Sequence, residues 1–196
     1  MPPEDRRTAL IAATVPLLRT HGTSVTTRQI AEAAGVAEGT IFGVFPDKDS
    51  LVQAALLSAA DPADTLAAMH AIDRTAGLRS RLSAAAALVN KRFADNASLL
   101  SVARSVAFAP GAPADMRTRM ADSRDRLLAA LTDVIEPDRH RLRRDPATVA
   151  RLLLLLAGAN AYGPFGDPAH VTGDEMVALL LDGLLVRANE DAETPC

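Results

Sequence analysis

The chain has 196 residues, enough for one domain or for two small, closely packed ones. It contains 39 alanines and 26 leucines, which favour helices, whereas 13 valines and five isoleucines are too few for many strands. The composition therefore predicts an all-α fold. The net charge of −3 does not indicate a protein that attracts nucleic acid through an overall positive charge.

Cysteine usage and apolar runs indicate the compartment. The single cysteine is Cys196, so no intrachain disulfide can form and a reducing compartment is expected. The apolar run over 9–18 follows acidic as well as basic residues and contains Pro16, which favours a first helix over a signal peptide. The apolar stretch 152–159 is far shorter than the ~20 residues that span a bilayer. We expect a cytoplasmic protein without a membrane partner.

Glycine and proline residues divide the chain into about nine predicted helices. The first covers residues 6–20 and ends at Gly22. Another begins after Asp47, whose side chain can cap it. Later in the chain, Asp145 and Pro146 have the form of an N-cap followed by proline at the first helical position.

Residues 26–45 have the pattern of a helix-turn-helix. Thr26 and Gln29 predict a capping box at the start of a short helix. Gly35 supplies a left-handed turn before a second short helix over 37–45. An ordinary helical hairpin is the alternative, but it explains neither the brevity of both helices nor the order of their apolar residues. The residues expected to share a small core are Ile30, Ala34, Val36, Ile41 and Val44.

These motifs resemble the DNA-binding domain of TetR-type (tetracycline-repressor-like) transcriptional regulators. The likeness covers about residues 5–57, and its motifs are TTRQIA (26–31), AAGVA (33–37), GTIF (39–42) and FPDKDSL (45–51). It implies a three-helix helix-turn-helix domain over 1–57 and a larger C-terminal helical bundle over 58–196 that binds a ligand and dimerises. It also implies a homodimer, usually a repressor, whose ligand lowers its affinity for operator DNA.

The second helix of the motif is expected to enter the major groove of double-stranded DNA. Gly39 would let the backbone approach closely, Thr40 would offer a hydroxyl to a phosphate, and Lys48 would add a positive charge. Arg28 could grip guanine O6 and N7, or it could contact a phosphate or face solvent. The predicted DNA-binding residues are Thr26, Ala37, Glu38 and Gly39, together with Thr27, Arg28, Thr40, Phe42 and Lys48, whose family counterparts commonly touch DNA.

Two features of this segment weaken the expected interface. Phe42 stands where the family usually has tyrosine, and Val44 where it often has tyrosine or histidine, so two polar phosphate contacts are absent. Residues 1–50 carry five basic and six acidic side chains. Binding would then depend on few contacts, to which Arg6 and Arg7 contribute unless they face solvent.

Two very apolar helices are predicted near the C-terminus, over 149–159 and 176–185. A helix that is apolar nearly all round needs cover on several sides. A second copy of the chain would supply it through a four-helix interface, and a core within one chain is the alternative. The predicted dimer-interface residues are Leu152, Leu155, Leu156, Ala159, Met176, Leu180 and Leu184.

Scattered methionine and aromatic side chains are candidates for lining the cavity of an unknown small-molecule effector. Such residues at helical spacing are more often plain core. The arginines between residues 117 and 144 alternate with acids, which indicates a solvated face more than an anion site. The candidate ligand-binding residues are Met69, Phe93, Phe108, Met116, Met120 and Tyr162.

Enzymatic and metal chemistry find little support in the sequence. It has no glycine-rich phosphate loop, no GxSxG motif and no His or Cys residues at metal-ligand spacing, so we expect no catalytic residue, metal or cofactor. The expected function is that of a sequence-specific transcriptional regulator, a repressor released from its operator by a small molecule. The alternatives are a ligand-binding α-helical protein with weak or lost DNA binding, and an α-helical enzyme.

Overall fold

A computed structural model describes residues 3–108, 114–162 and 171–184. Its described residues form nine α-helices and two short 3-10 turns without a β-strand, which confirms the predicted all-α fold. In the same part of the chain, no helix combines the length and the apolar character needed to cross a bilayer. The α-helices are α1 (Pro3–His21), α2 (Thr27–Ala34), α3 (Gly39–Phe42), α4 (Lys48–Ala60), α5 (Ala63–His70), α6 (Leu78–Ala107), α7 (Ala114–Ile135), α8 (Pro146–Tyr162) and α9 (Gly173–Leu184).

One difference from the predicted boundaries concerns α3. The sequence predicts a helix over 37–45, but only Gly39–Phe42 is regular α-helix. On either side the chain turns more tightly, with hydrogen bonds from the amide of Thr40 to the carbonyl of Ala37 and from the amide of Val44 to that of Ile41. Such bonds between residues three apart close 3-10-like turns, which keep the direction of a helix for only a few residues.

The helices form two compact units that are not continuous in sequence. The first contains residues 1–62 and 95–125, and the second contains residues 63–94 and 126–196. Both α6 and α7 therefore contribute to each unit. The predicted division after residue 57 does not anticipate that residues 95–125 pack with the N-terminal helices.

The core of the first unit lies where α1 packs against α2 and α4. Ile30 and Ile41 are fully buried in it, and the other residues predicted to share this core are partly buried. Helix α1 continues through the exposed Pro16, and the buried Thr14 hydroxyl donates a 2.7 Å hydrogen bond to the carbonyl of Leu10. The largest fully buried side chains of this unit are Phe45, Leu10, Leu18, Ile30, Ile41, Leu51, Leu56, Leu99 and Met116.

Two helices of the second unit begin with well-formed caps. The carboxylate of Asp145 accepts a 2.9 Å hydrogen bond from the amide of Thr148, with Pro146 at the first helical position of α8, as the sequence predicts. Helix α9 begins with a capping box, in which Thr172 and Glu175 each accept a hydrogen bond from the other's amide. Side chains close in sequence therefore fix the N-terminal ends of α8 and α9.

Helix α9 approaches the backbone of α6 very closely at Gly173. A Cβ atom there would lie 3.0 Å from the amide nitrogen of Ala87, which is tighter than most contacts that real Cβ atoms make. Glycine at this position lets α9 settle on α6, while α8 packs against α9. Residues of the resulting core include Leu82, Ala86, Val89, Leu131, Val149, Leu153, Ala157, Met176, Val177 and Leu181.

A buried ion pair ties α6 to the segment that follows α7. The guanidinium of Arg81, 4% exposed, donates to the carbonyls of Ala76 and Val134 and, at 2.6 Å, to the carboxylate of Asp138. Asp138 also accepts a 2.9 Å hydrogen bond from Arg141. The bonds from Arg141 and Arg81 hold the pKa of Asp138 below its usual value, although desolvation opposes them.

We expect Arg81→Met to lower the free energy of unfolding by about 3 kcal/mol, because it leaves two carbonyls and a carboxylate without a buried donor. Arg79→Met is the matched control in the same helix. Its ion pair with Asp182 is exposed on both sides, at 51% and 69%, and should contribute less than about 1 kcal/mol. Urea unfolding followed by circular dichroism measures both variants, and equal losses would contradict the assignment.

Candidate nucleic-acid interface

Helix α2 starts with the capping box that the sequence predicts. The amide of Gln29 donates to the hydroxyl of Thr26 at 3.2 Å, and the amide of Thr26 donates to the Gln29 side chain at 2.8 Å. The Thr26 hydroxyl also donates to the same side-chain oxygen at 2.9 Å. Thr26, a predicted DNA-binding residue, therefore has its side chain engaged in fixing the start of α2.

The turn between α2 and α3 depends on a left-handed residue. Gly35 has φ 66° and ψ 34°, and its amide donates to the carbonyl of Glu32 at 3.2 Å. The next amide, of Val36, donates to the carbonyl of Ala31 at 3.0 Å. Both bonds satisfy carbonyls that the end of a helix would otherwise leave free, so the turn fixes the direction in which the chain enters α3.

Helix α3 has one buried side and one exposed side. Ile41 and Phe45 are buried in the core of the first unit. The other side presents the predicted contact residues Ala37, Glu38, Gly39 and Phe42, all exposed, with Thr40 partly buried between them. Phe42 is 54% exposed, which is high for a large apolar side chain. The surface expected to face DNA is therefore formed by the residues that the core leaves outside.

Lys48 ties the start of α4 to the loop before α2. Its ammonium group donates to the backbone carbonyls of Thr23 at 3.2 Å and Val25 at 3.3 Å. The preceding residue, Asp47, caps α4 as predicted, accepting a 2.7 Å hydrogen bond from the amide of Ser50 that lowers the pKa of its carboxyl group. Because an ammonium group has three protons, Lys48 keeps one for an anion.

Two predicted DNA-binding residues contact each other across the turn. The hydroxyl of Thr27, the first residue of α2, donates a hydrogen bond to the carboxylate of Glu38, the residue before α3. Nothing in the sequence signals this contact, because the two residues are separated by a turn whose geometry sequence patterns do not specify. It places a fixed carboxylate on the exposed side of the motif.

The basic residues of the first unit differ in their contacts and in their exposure to solvent. Arg6 and Arg7 lie within α1, and the guanidinium carbon of Arg7 stands 4.5 Å from the centroid of the Phe45 ring, a cation–π contact. Arg28 is exposed on α2, and no described residue forms a hydrogen bond or an ion pair with it. Among the predicted base and phosphate contacts, Arg28 is thus the cation that remains fully available.

The predicted dimer residues of α8 form an exposed apolar stripe. The stripe, which we call the α8 face, consists of Leu152, Leu155, Leu156 and Ala159, spaced so that they share one side of the helix. On α9, Leu180 is partly buried, and the side chain of Leu184 lies outside the part that the structure describes.

Two residues of α9 change the predicted dimer surface. Met176 is only 2% exposed and packs in the core of its own unit, so it has no surface to offer a partner. Leu179 is 72% exposed, although it is absent from the predicted interface. Glu175 and Asp182 lie four residues before and three residues after Leu179 and share its side of α9, so the prediction overlooked a signal that the sequence carries.

The candidate ligand-binding residues are not brought together within one unit. Met69 and Phe93 pack with the core of the second unit, whereas Met116 and Met120 pack with that of the first. Phe108 is 73% exposed. The side chain of Tyr162, the sixth candidate, lies outside the described residues. Met69 and Met116, at 0% and 1% exposed, are core residues of two separate clusters.

The short helices α2 and α3 share one core with α1 and α4, which is the arrangement that the helix-turn-helix pattern predicts. Residues 10–55 match the family model for bacterial regulatory proteins of the tetR family. This match confirms the resemblance of the N-terminal helices to TetR-type regulators, and the chain has a TetR-like fold.

Solved structures extend the likeness of fold over nearly the whole chain. A protein of Mesorhizobium loti MAFF303099 assigned to the TetR family shares 17% identity with a TM-score of 0.73, covering 95% of this chain and 100% of that one. A transcriptional regulator of Pseudomonas aeruginosa PAO1 shares 23% identity with a TM-score of 0.65, covering 93% and 91%. The fatty acid degradation regulator FadR of Bacillus halodurans shares 16% identity with a TM-score of 0.65, covering 91% and 95%. No protein with a curated description matches the sequence.

The glycines flanking the turn allow a matched test of its geometry. A Cβ atom at Gly35 or at Gly39 would meet no atom within 4 Å, but only Gly35 has a positive φ. We expect Gly35→Ala to lower the free energy of unfolding by about 1–2 kcal/mol through backbone strain. Gly39→Ala should leave it unchanged or raise it by about 0.5 kcal/mol. Thermal and urea unfolding measure both, and a harmless Gly35→Ala would show that the turn is not held left-handed.

Proposed function

We propose that the protein is a cytoplasmic, sequence-specific DNA-binding transcriptional regulator. In this proposal it is a homodimeric repressor that dissociates from its operator when a small molecule binds. One observation carries the proposal: Ile41 in α3 and Phe45 just after it are buried, while Arg28 and Phe42 are exposed and Thr40 is partly exposed beside them. An α-helix held in this way fits the major groove. No enzymatic activity is proposed.

The contacts divide between base reading and positioning on the backbone. The planar fork of Arg28, free of partners in the described part of the chain, suits guanine O6 and N7. Lys48 keeps one ammonium proton for a phosphate, and Thr40 has a hydroxyl for another. Because Arg7 stacks on Phe45 and Thr26 caps α2, we assign neither of them a direct role at the bases.

Selection of duplexes from a random pool tests this function. We expect the wild-type chain to enrich one sequence, and Arg28→Ala with Lys48→Ala to weaken binding to it by at least about tenfold. Each neutralised phosphate contributes about −0.9 to the slope of log K against log salt, so the phosphate contact assigned to Lys48 predicts a slope of roughly −2 for two copies. Quantitative gel-shift or fluorescence-anisotropy titrations at several salt concentrations measure both quantities.

The control is Arg143→Ala with Arg144→Ala, which removes the same charge from exposed positions of the second unit. That variant should bind like the wild type. If the wild-type chain enriches no sequence even at low salt, the protein is instead a ligand-binding helical protein that has lost DNA binding. A much steeper salt slope would show that phosphate contacts beyond Lys48 dominate.

Dimerisation through the α8 face and Leu179 is part of the proposal. Leu155 and Leu179 are 61% and 72% exposed, and large leucines on two neighbouring helices form an apolar surface that a second copy would cover. Two copies would also present two recognition helices to half-sites about one turn of DNA apart. We propose a second copy as the partner because a symmetric interface needs a self-complementary patch, and a stripe of similar leucines provides one.

We expect Leu155→Glu with Leu179→Glu to weaken self-association by at least about 100-fold, because a dimer would bury carboxylates without partners. Sedimentation equilibrium over a range of concentrations measures the change. The matched control is Phe108→Glu, which places the same charge at a side chain that is 73% exposed but lies on neither helix. A dimer that survives the double substitution would contradict this interface, and a dimer lost in both variants would indicate a nonspecific effect.

A buried polar atom in the second unit supports the small-molecule part of the proposal. The side-chain oxygen of Asn90 on α6 is buried without a hydrogen-bond partner, while its amide nitrogen lies 3.8 Å from the sulfur of Met176. An unpaired buried acceptor is unfavourable, and a ligand that donates a hydrogen bond would satisfy it. Release of DNA further requires that this ligand bind the free and operator-bound arrangements with different affinities.

A further inference from the structure

The carboxylate of Glu38 is an unusual group for a surface proposed to meet DNA. It is exposed immediately before α3, and no lysine, arginine or histidine in the described part of the chain forms an ion pair with it. DNA phosphates repel such a charge and weaken binding to any sequence. A carboxylate there is compatible with tight binding only where a base offers it a hydrogen-bond donor.

Thr27 restricts where that carboxylate can point. Its hydroxyl, at the fixed first turn of α2, donates to one oxygen of Glu38. Thr27 is itself held by the capping box of the preceding residue, Thr26, and by the bonds of Lys48 to the loop before α2. The second carboxylate oxygen of Glu38 stays free to accept another hydrogen bond.

In the major groove, the base that suits a lone carboxylate oxygen is cytosine. Its exocyclic N4 amino group is a donor, whereas guanine presents only the acceptors O6 and N7. Adenine has an amino donor at N6, but the N7 acceptor beside it repels a carboxylate. The same charge therefore attracts one base and rejects guanine at the same place.

We propose that Glu38 is a specificity-determining residue that accepts a hydrogen bond from the N4 amino group of a cytosine, and that Thr27 is the positioning residue that orients it. This inference rests on the proposed DNA-binding function and adds which base is recognised and which residue recognises it. It also gives the acidic character of residues 1–50 a role, because Glu38 weakens binding to sequences that lack the donor.

Selection from a random duplex pool with the full-length wild type, Glu38→Gln and Glu38→Ala tests the proposal. The wild type should enrich cytosine at one position of each half-site and bind about tenfold more weakly when that base pair is changed. Glu38→Gln should move the preference towards adenine, which a carboxamide can grip through N6 and N7. Glu38→Ala should show no preference there and bind random duplex more tightly than the wild type.

The positioning role of Thr27 has its own pair of variants. Thr27→Val removes the hydroxyl and should flatten the preference at the cytosine position, whereas Thr27→Ser should keep it. If Thr27 only contacts a phosphate, Thr27→Val lowers affinity for all sequences equally and leaves the base preference unchanged. Glu32→Gln is the charge control, because it makes the same change at an exposed position of α2. Circular dichroism melting checks that each variant is folded.

The outcomes separate this inference from the function on which it rests. If the wild type enriches a sequence but Glu38→Gln and Glu38→Ala enrich the same one, position by position, the assignment of Glu38 is wrong and DNA binding stands. If Glu32→Gln shifts the base preference as Glu38→Gln does, the effect is one of net charge, and the assignment is again wrong. If the wild type enriches no sequence at all, both the proposed function and this inference fail.

Discussion

A helix of four residues such as α3 cannot hold its own shape, and this constraint governs the first unit. Isolated helices of that length are far below the size at which helix formation is favourable in water. The shape of α3 is imposed from outside, by the burial of Ile41 and Phe45 in the core that α1 and α4 provide and by the left-handed turn at Gly35. The exposed side of α3 is consequently held in place by the buried residues beneath it and not by its own side chains.

That support uses polar side chains that also lie near the proposed DNA surface. Thr26 caps α2, Lys48 bonds to two carbonyls, and Arg7 stacks on Phe45. Each of these side chains has most of its hydrogen-bonding or packing capacity committed before any ligand arrives. What remains at the proposed DNA surface is one unpaired arginine, one ammonium proton of Lys48, one hydroxyl, an exposed phenyl ring and a carboxylate, a set suited to discrimination more than to electrostatic attraction.

Local signals in the sequence predicted the fold well, because their physics is local. The capping box at Thr26, the left-handed Gly35 and the cap at Asp47 each depend on residues within a few positions, and all three are present. The contact between Thr27 and Glu38 and the packing of residues 95–125 with the N-terminal helices depend on tertiary geometry that no short pattern encodes. On α9, the exposed Glu175 and Asp182 share the side of Leu179, so their spacing distinguishes the exposed Leu179 from the buried Met176, a signal that the prediction overlooked.

In the proposed mechanism, the weak electrostatic attraction between the proposed DNA surface and DNA makes dimerisation through the apolar face of α8 and α9 necessary. A single copy offers few cations and a repelled carboxylate, so one half-site contact alone would be weak. Joining two copies makes the second contact intramolecular, which raises the overall affinity without adding any contact to either half-site. The leucines far from α3 in sequence would thus supply affinity, whereas Arg28 and Glu38 supply selectivity. A ligand that alters how two copies are arranged would then need to misplace only one recognition helix to lose most of the binding free energy.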